Sequence, residues 1–313
     1  MRWFGPAASS VALSIAIAFQ TFFPGTVAAQ EPGLLEKRES IYNNIFIFGD
    51  KDSVTMTFGH NKRYYTESAM KLSDPGALTV EYTRYMTLGI AYPQKLERIL
   101  EIGLGGGRTI MYLKAALPDT AILTAEIDKD VVDLAKKYFK FTESASMRAV
   151  VADGRSFLMR DNDKWDVILI DAYRGPFVPF HLLTKEFYTL VKSRLAPGGV
   201  VVQNIEPSTM LFDSATATLN SVFPSVDLYE GGGNVVAIGY DGLSLRQADL
   251  LARAAKVQER YNLRYDLRTM VATRRVLQRP SGKILTDDFA PVETMRAIEQ
   301  RNEKWKDQTE APR

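Results

Sequence analysis

Short, wholly apolar runs alternate with stretches of helical periodicity from Arg98 onward, and this alternation restricts the fold more than any other feature of the sequence. The apolar runs lie at residues 99–102, 121–125, 149–151, 167–170 and 200–202, and the predicted helices at residues 107–117, 129–139, 184–194 and 209–221. Strands that are apolar on both faces belong in a parallel sheet covered by helices on both sides. The pattern therefore predicts a Rossmann-like, doubly wound α/β domain.

Antiparallel strands are predicted on either side of this domain. Apolar and polar residues alternate from Tyr42 to about Tyr65, between turn residues, which predicts a small antiparallel β-domain. Residues 78–92 have helical spacing and precede Pro93, and two late runs at 226–229 and 235–238 predict a closing antiparallel pair. The predicted division is residues 1–29 as a targeting segment, 30–92 as β-meander and linking helix, 93–260 as the Rossmann-like domain, and 261–313 as a C-terminal segment.

The first 29 residues have the pattern of a secretory signal. Arg2 precedes an apolar stretch at residues 11–23, and small residues follow at 27–29. The apolar stretch is interrupted by Gln20 and is short for a spanning helix, which needs about 20 apolar residues. The sequence predicts a signal peptide and a periplasmic or secreted protein, with an uncleaved membrane anchor as the alternative.

Composition excludes several classes of chemistry. The formal net charge of +2 arises from 39 basic and 37 acidic residues, so nucleic acid is not an expected partner. The chain has no cysteine and only two histidines, without the spacing of a metal site. We therefore expect no metal, and a site built from carboxylates, hydroxyls, amides and a co-substrate.

A glycine-rich segment marks the expected ligand site. Gly103, Gly105, Gly106 and Gly107 follow the first apolar run and open a helix, which is the ligand crevice of an open α/β sheet. Glu126 ends the second run, about 20 residues after Gly105, where a carboxylate can bind both ribose hydroxyls. This spacing predicts a nucleoside site, and by itself it suits NAD equally well.

Acids at the ends of the next two runs separate these readings. Asp153 and Gly154 follow the third run, with Asp153 placed to meet the exocyclic amine of adenine, and Asp171 ends the fourth run. A series of acids at successive strand ends encloses one nucleoside and leaves no room for a second. The interpretation is an S-adenosylmethionine-dependent type of transferase site.

The order of motifs resembles the spermidine synthase (polyamine aminopropyltransferase) family over roughly residues 39–240, most of all its bacterial spermidine-synthase-like branch. The motifs are Glu39-Ser-Ile-Tyr42, Ile102-Gly-Leu-Gly-Gly-Gly107, Glu126-Ile-Asp128, Asp153-Gly154, Asp171-Ala-Tyr173, Val178-Pro-Phe-His-Leu-Leu-Thr184, Thr184-Lys-Glu-Phe-Tyr188, Leu195-Ala-Pro-Gly-Gly199, Asn204 and Leu285-Thr-Asp-Asp-Phe-Ala-Pro291. The resemblance implies an N-terminal β-domain, a Rossmann-like transferase domain, and transfer of an aminopropyl group from decarboxylated S-adenosylmethionine to a small amine.

Two departures from the family pattern leave alternatives open. Gly106 stands where the family has an aspartate that meets the donor's amine, and Arg174 stands where the family has a second acid facing the polyamine. A site without the loop acid tolerates a donor that carries a carboxylate, so a methyltransferase using intact S-adenosylmethionine is the first alternative. A non-catalytic nucleoside-binding protein is the second, because neither donor is expected outside the cytoplasm.

Attack on a carbon beside a sulfonium requires an aligned, deprotonated amine, and Asp171 is the predicted catalytic residue, as proton acceptor or as the group that orients the amine. Tyr173 either lines the acceptor pocket or packs beside it. Asp287 either closes the acceptor site or caps a helix, and His181 is expected to be a semi-buried, satisfied side chain. The sequence leaves a homodimer open.

Overall fold

The computed structural model describes residues 33–60, 63–175, 177–209, 211–278 and 280–289. The predicted signal peptide or anchor at residues 1–29 lies outside these ranges. Within the described ranges, every helix is too short or too polar to span a bilayer.

The N-terminal sheet has four antiparallel strands in chain order. They are β1 (Leu34–Glu39), β2 (Asn44–Gly49), β3 (Ser53–His60) and β4 (Arg63–Lys71). Its alternating pattern places Ile45 and Ile47 on a fully buried face, where they pack with Val131 and Leu134. The predicted small antiparallel sheet is confirmed, with β1 as a strand that the sequence pattern did not identify.

The main sheet has eight strands in the order β12-β10-β11-β9-β8-β5-β6-β7. The strands are β5 (Arg98–Ile102), β6 (Ala121–Glu126), β7 (Met147–Val151), β8 (Trp165–Ile170), β9 (Leu195–Ile205), β10 (Ser225–Gly231), β11 (Asn234–Tyr240) and β12 (Arg275–Val276). Strands β5 to β9 pair in parallel, and the other three pair antiparallel. The predicted Rossmann-like fold with a closing antiparallel pair is confirmed.

Helices cover both faces of this sheet. They are α1 (Glu81–Met86), α2 (Arg108–Ala116), α3 (Lys129–Tyr138), α4 (Gly154–Arg160), α5 (Lys185–Arg194), α6 (Phe212–Val222), α7 (Gln247–Tyr261) and α8 (Leu267–Val271), with short 3-10 turns at Thr87–Ala91, Phe180–Leu182 and Asp287–Phe289. The four helices predicted between the strands are present. The single helix predicted at 78–92 is instead the short α1 followed by a 3-10 turn, and α4, α7 and α8 were not predicted.

Alternate residues of the central strands bury into two separate cores. Val167 and Leu169 of β8 face one core, and Ile168 and Ile170 face the other. Strand β5 pairs with β6 on one side and with β8 on the other, so the chain changes direction across the sheet at β5. Such a switch point opens a crevice at the carboxyl ends of the two neighbouring strands.

Candidate active site

A cavity of about 690 Å³ occupies this crevice. Its walls come from the glycine loop, from the carboxyl ends of β6, β8 and β9, and from Glu67 and Ser68 of β4 on the N-terminal sheet. Tyr82 of α1 completes the wall beside Asp171. The volume lies in the range of small-molecule sites, roughly 300–1,000 Å³.

The start of the glycine loop lies directly under the cavity. Gly103 has a φ of 90°, and a Cβ there would lie 2.3 Å from the backbone oxygen of Asp171. Gly105 also has a positive φ, of 51°, and lines the cavity. The close approach of two backbone segments therefore requires glycine at 103. The N–H groups of Gly103, Leu104 and Gly107 already donate within the protein, to Ala125, Glu126 and Leu104.

Gly106 and Gly107 occupy a different environment, because the cavity walls described above do not include them. A Cβ on Gly106 would lie 2.6 Å from both Ser68 Oγ and Phe139 Cδ1, and one on Gly107 would lie 2.9 Å from Phe141 Cδ2. Both glycines let the loop approach β4 and the segment that follows α3. That they also bind the ligand stays a prediction.

Glu126 is held at the end of β6 by backbone donors. The N–H of Leu104 donates to Glu126 Oε2 at 2.8 Å, and the N–H of Asp128 donates to Oε1 at 2.9 Å. Burial raises the pKa of Glu126 to about 6, and these N–H groups act in the opposite direction. The carboxylate lines the cavity beside the glycine loop, where its remaining lone pairs can accept hydrogen bonds from hydroxyl groups.

Asp153 and Gly154 stand at the start of α4. Asp153 Oδ1 accepts from the N–H of Ser156 at 2.8 Å, and Oδ2 lies 3.0 Å from His181 Nε2. The His181 contact holds the pKa of Asp153 well below its ordinary value. A Cβ on Gly154 would lie 2.3 Å from Ile102 Cγ2, so this glycine permits close packing of α4 on β5. His181 is 46% exposed, more than we expected, with Asp153 as its partner.

Asp171 is held by side chains from two other elements. Asn204 Nδ2 donates to Asp171 Oδ1 at 2.8 Å, and the Tyr82 hydroxyl donates to Oδ2 at 3.1 Å. Burial raises the pKa of Asp171, whereas these two hydrogen bonds lower it. The carboxylate therefore lies at the cavity wall with both oxygens fixed in orientation.

Glu101 is a second carboxyl group close to Asp171. It is 3% exposed, and Thr124 Oγ1 donates to its Oε2 at 3.1 Å. Burial, followed by the charge of Asp171, raises the pKa of Glu101 well above its ordinary value. The pKa of Glu101 is raised further than that of Asp171, so Asp171 is the first of the two to ionise as the pH rises.

The residues that were predicted to bind the amine substrate do not all lie at the cavity. Tyr173 lines the cavity, and burial followed by the charge of Asp171 raises its pKa, so its phenol is neutral. Arg174 also lines the cavity and is exposed. Asp287 is not among the described residues that line the cavity. It pairs with Arg155, which also donates to the backbone oxygen of His181 at 3.1 Å. The structure therefore brings Tyr173 to Asp171 and does not bring Asp287 there.

Three cavity residues, Tyr82, Glu67 and Glu206, escaped the sequence analysis. Tyr82 was interpreted as one apolar position of a helix, and Glu67 lies in a strand of the β-domain, where no pattern distinguishes it. Glu206 directly follows β9, so it too is an acid at the end of a parallel strand. In the sequence, Gln203 and Asn204 separate it from the apolar run at residues 200–202, so the signal is weaker than that of Asp171.

The Rossmann-like sheet and a cavity at its switch point are the features expected of a transferase of the predicted class. The family described as the spermine/spermidine synthase domain matches residues 81–230. The polyamine aminopropyltransferase of Vibrio vulnificus is 28% identical over 274 residues, covering 84% of this chain and 91% of that protein. The chain is thus similar to polyamine aminopropyltransferases over most of its length, which confirms the predicted resemblance and the transferase class.

Two further proteins are similar to this chain, one in fold and one in part of its sequence. A probable spermidine synthase from Corynebacterium glutamicum shares the fold, with a TM-score of 0.64 at 21% identity, over 82% of this chain and 97% of that one. The eEF1A lysine and N-terminal methyltransferase of Bos taurus is 31% identical over 170 residues, but this is 48% of this chain and only 24% of that protein. The similarity to the methyltransferase is therefore confined to one part of each protein.

Proposed function

We propose that this protein transfers an aminopropyl group from decarboxylated S-adenosylmethionine to a small amine. The observation that carries the proposal is the placement of Asp171, held by Tyr82 and Asn204, in the same cavity as Glu126 and the glycine loop. Glu126 binds the ribose hydroxyls, and Asp153 binds the edge of the adenine. Asp171 then faces the carbon that is transferred.

The reaction needs a base and no further activating group. The bond between sulfur and the propyl carbon breaks, and its electron pair remains on sulfur, which gives 5′-methylthioadenosine. The amine nitrogen forms the new bond to carbon and releases its proton to Asp171. A primary amine with a pKa near ~10 is mostly protonated at neutral pH, so holding and deprotonating it is the task of the protein.

The reacting end of the cavity suits a cation. Glu67 and Glu206 lie close enough to act on the Tyr173 phenol together with Asp171, and all three charges raise the pKa of that phenol. An ammonium group entering this end meets carboxylates on several sides. This favours an amine acceptor even though Arg174 replaces the second acid of the family's acceptor loop.

A second candidate function is methyl transfer from intact S-adenosylmethionine. The observation that favours it is Gly106, because Ser68 and Phe139 fill the space where the family's loop aspartate would begin. A donor with a carboxylate then meets no acid at this position. The partial similarity to a methyltransferase supports the same reading.

Product analysis separates the candidates. Purified protein is incubated with decarboxylated or intact S-adenosylmethionine and with diamines of three to five carbons, and nucleoside products are identified by mass spectrometry. Aminopropyl transfer gives amine-dependent 5′-methylthioadenosine, whereas methyl transfer gives S-adenosylhomocysteine. Tight binding of 5′-methylthioadenosine with neither product would support a non-catalytic nucleoside-binding protein and overturn both.

The cellular location of the protein stays a prediction, and so does a homodimer. We propose a periplasmic or secreted location, supported by the sequence pattern of residues 1–29, with a membrane anchor as the alternative. Sequencing the mature N-terminus after cell fractionation tests it, and a cytosolic chain that begins at Met1 would contradict it.

A further inference from the structure

Asn234 begins β11 and reaches Asp171 through one intermediate side chain. Asn234 Nδ2 donates to Asn204 Oδ1 at 2.9 Å, and Asn204 Nδ2 donates to Asp171 Oδ1 at 2.8 Å. Asn204 is 1% exposed, so water does not substitute for either bond. The three side chains form one directed chain of hydrogen bonds from the β10–β11 turn to the carboxylate.

This chain fixes which end of the Asn204 amide faces Asp171. An asparagine amide has a donor end and an acceptor end, and only its hydrogen-bond partners decide between the two orientations. Because Asn234 donates to the oxygen of Asn204, the NH₂ group of Asn204 must point to Asp171. A rotated amide would instead direct its oxygen at the carboxylate.

The turn that carries Asn234 is itself packed on the helix that carries Tyr82. A Cβ on Gly231 would lie 2.4 Å from Tyr85 Cδ2, and one on Gly232 would lie 2.8 Å from Glu81 Cβ. The turn therefore lies in close contact with α1. One packed unit delivers both donors to Asp171, with Tyr82 on one oxygen and the Asn234–Asn204 pair on the other.

We propose that Asn234 is a positioning residue for the transfer reaction, which sets the Asn204 amide so that Asp171 is held as an ionised, correctly oriented proton acceptor. This inference rests on the proposed function of Asp171. It assigns to the β10–β11 turn a role in chemistry at a carboxylate that the turn itself does not touch.

The variants N234D and N234A test the orientation directly. A carboxylate at 234 cannot donate, so the Asn204 amide rotates and presents its oxygen to Asp171, which raises the pKa of Asp171. We expect N234D to lower kcat at neutral pH about tenfold and to move the acidic limb of the kcat profile up by about one pH unit. N234A removes only the hydrogen bond that orients the Asn204 amide, so the acidic limb of its kcat profile should move less, in the same direction.

The groups that face Asp171 are the phenols of Tyr82 on α1 and Tyr173 in the following loop and the carboxyl group of Glu101 on β5, and each has a pKa raised well above its ordinary value. The two phenols are therefore neutral near pH 7, while Glu67 and Glu206 act on Tyr173 from farther along the cavity. The matched control is N220D, whose amide donates to the Phe223 oxygen at 3.2 Å in another part of the fold.

Three further measurements decide the matter. N234A in an N204A background should cause no additional loss of kcat, and affinity for 5′-methylthioadenosine should match wild type in every variant. The positioning role would be overturned if the losses of kcat in N234A and N204A were additive, or if the acidic limb of the kcat profile did not move in N234D. The carboxyl ¹³C shift of Asp171 gives its pKa without turnover, so a raised value in an inactive protein would uphold the positioning and refute the proposed reaction.

Discussion

The two ends of the cavity hold their carboxylates in different ways. At the nucleoside end, Glu126 and Asp153 accept from backbone N–H groups, and each has at least one such donor within three positions along the chain. At the reacting end, Asp171 accepts from Asn204 and Tyr82, which lie 33 and 89 positions away. The nucleoside end is built by local strand–turn–helix geometry, and the reacting end depends on the packing of distant elements.

This difference has an electrostatic consequence. The His181 contact, followed by the backbone N–H of Ser156, keeps the pKa of Asp153 low, and backbone donors oppose the rise that burial causes in the pKa of Glu126. Side-chain donors can rotate or be lost, so the pKa of Asp171 responds to the packing around it. The nucleoside end should therefore be rigid and tolerant of distant substitutions, whereas the reacting end should be sensitive to them.

Replacing Asp171 with asparagine should have the largest effect, because it should impair the reacting end of the cavity and spare the nucleoside end. Asn204 can still donate to the remaining oxygen, and the Tyr82 hydroxyl can accept from the new NH₂ group, so the local structure is retained. We expect kcat to fall by roughly 10²–10⁴ because the proton acceptor is gone. Affinity for 5′-methylthioadenosine, measured by calorimetry, should change little.

The matched control for this variant is D161N. Asp161 accepts from Trp165 Nε1 at 2.8 Å near the opposite end of β8, so it loses a comparable hydrogen bond away from the cavity. Its kcat should equal that of wild type. If D171N retained turnover, the assignment of Asp171 as proton acceptor would be wrong.

Replacing Glu126 with glutamine should affect the nucleoside end instead. The ionised carboxylate binds the ribose hydroxyls, and its pKa is about 6, so nucleoside affinity should be constant above that pH and fall as the pH decreases through it. E126Q should bind 5′-methylthioadenosine about 10- to 100-fold more weakly at pH 8 and lose this pH dependence.

Glu143 provides the control, because it also accepts a backbone N–H, that of Ala149 at 2.9 Å, on an exposed surface. E143Q should bind the nucleoside as wild type does across the same pH range. A pH dependence that persisted in E126Q would have its source in another group and would refute the role given to Glu126.

The same contrast explains what the sequence could predict. Gly103, Glu126 and Asp171 could be placed because each stands at a strand end, a position that a local pattern of apolar residues identifies. The contact between Tyr82 and Asp171 could not be predicted, because it depends on α1 packing against the glycines of the β10–β11 turn. Asn204 was recognised as a motif residue, but its direction toward Asp171 depends on Asn234, a residue on the neighbouring strand.

Gly106 illustrates the same limit at the loop. The sequence shows that an acid is missing there, and the structure gives the reason, since Ser68 of the N-terminal sheet and Phe139 after α3 fill the space. No local pattern links these three residues. A glycine loop does not reveal that Gly106 and Gly107 are closely packed against these side chains and Phe141, and their predicted contact with the ligand stays a prediction.

Restoring the family's acid with Gly106→Asp should give the smallest effect, and one on stability more than on binding. The new Cβ meets two side chains at 2.6 Å, so the loop or β4 must shift. We expect a loss of about 1–3 kcal/mol in the free energy of unfolding, measured by urea denaturation. Affinity for decarboxylated S-adenosylmethionine should not increase.

The control is Gly76→Asp, since a Cβ on Gly76 would have its nearest neighbour at 3.9 Å, and this variant should be close to wild type in stability. Adding Ser68→Gly to Gly106→Asp should recover part of the lost stability, because it removes one of the two contacts. Full stability together with tighter binding of the decarboxylated donor would show that the acid fits after all. The boundary between the rigid nucleoside end and the N-terminal sheet would then be more adaptable than the packing of Ser68 and Phe139 implies.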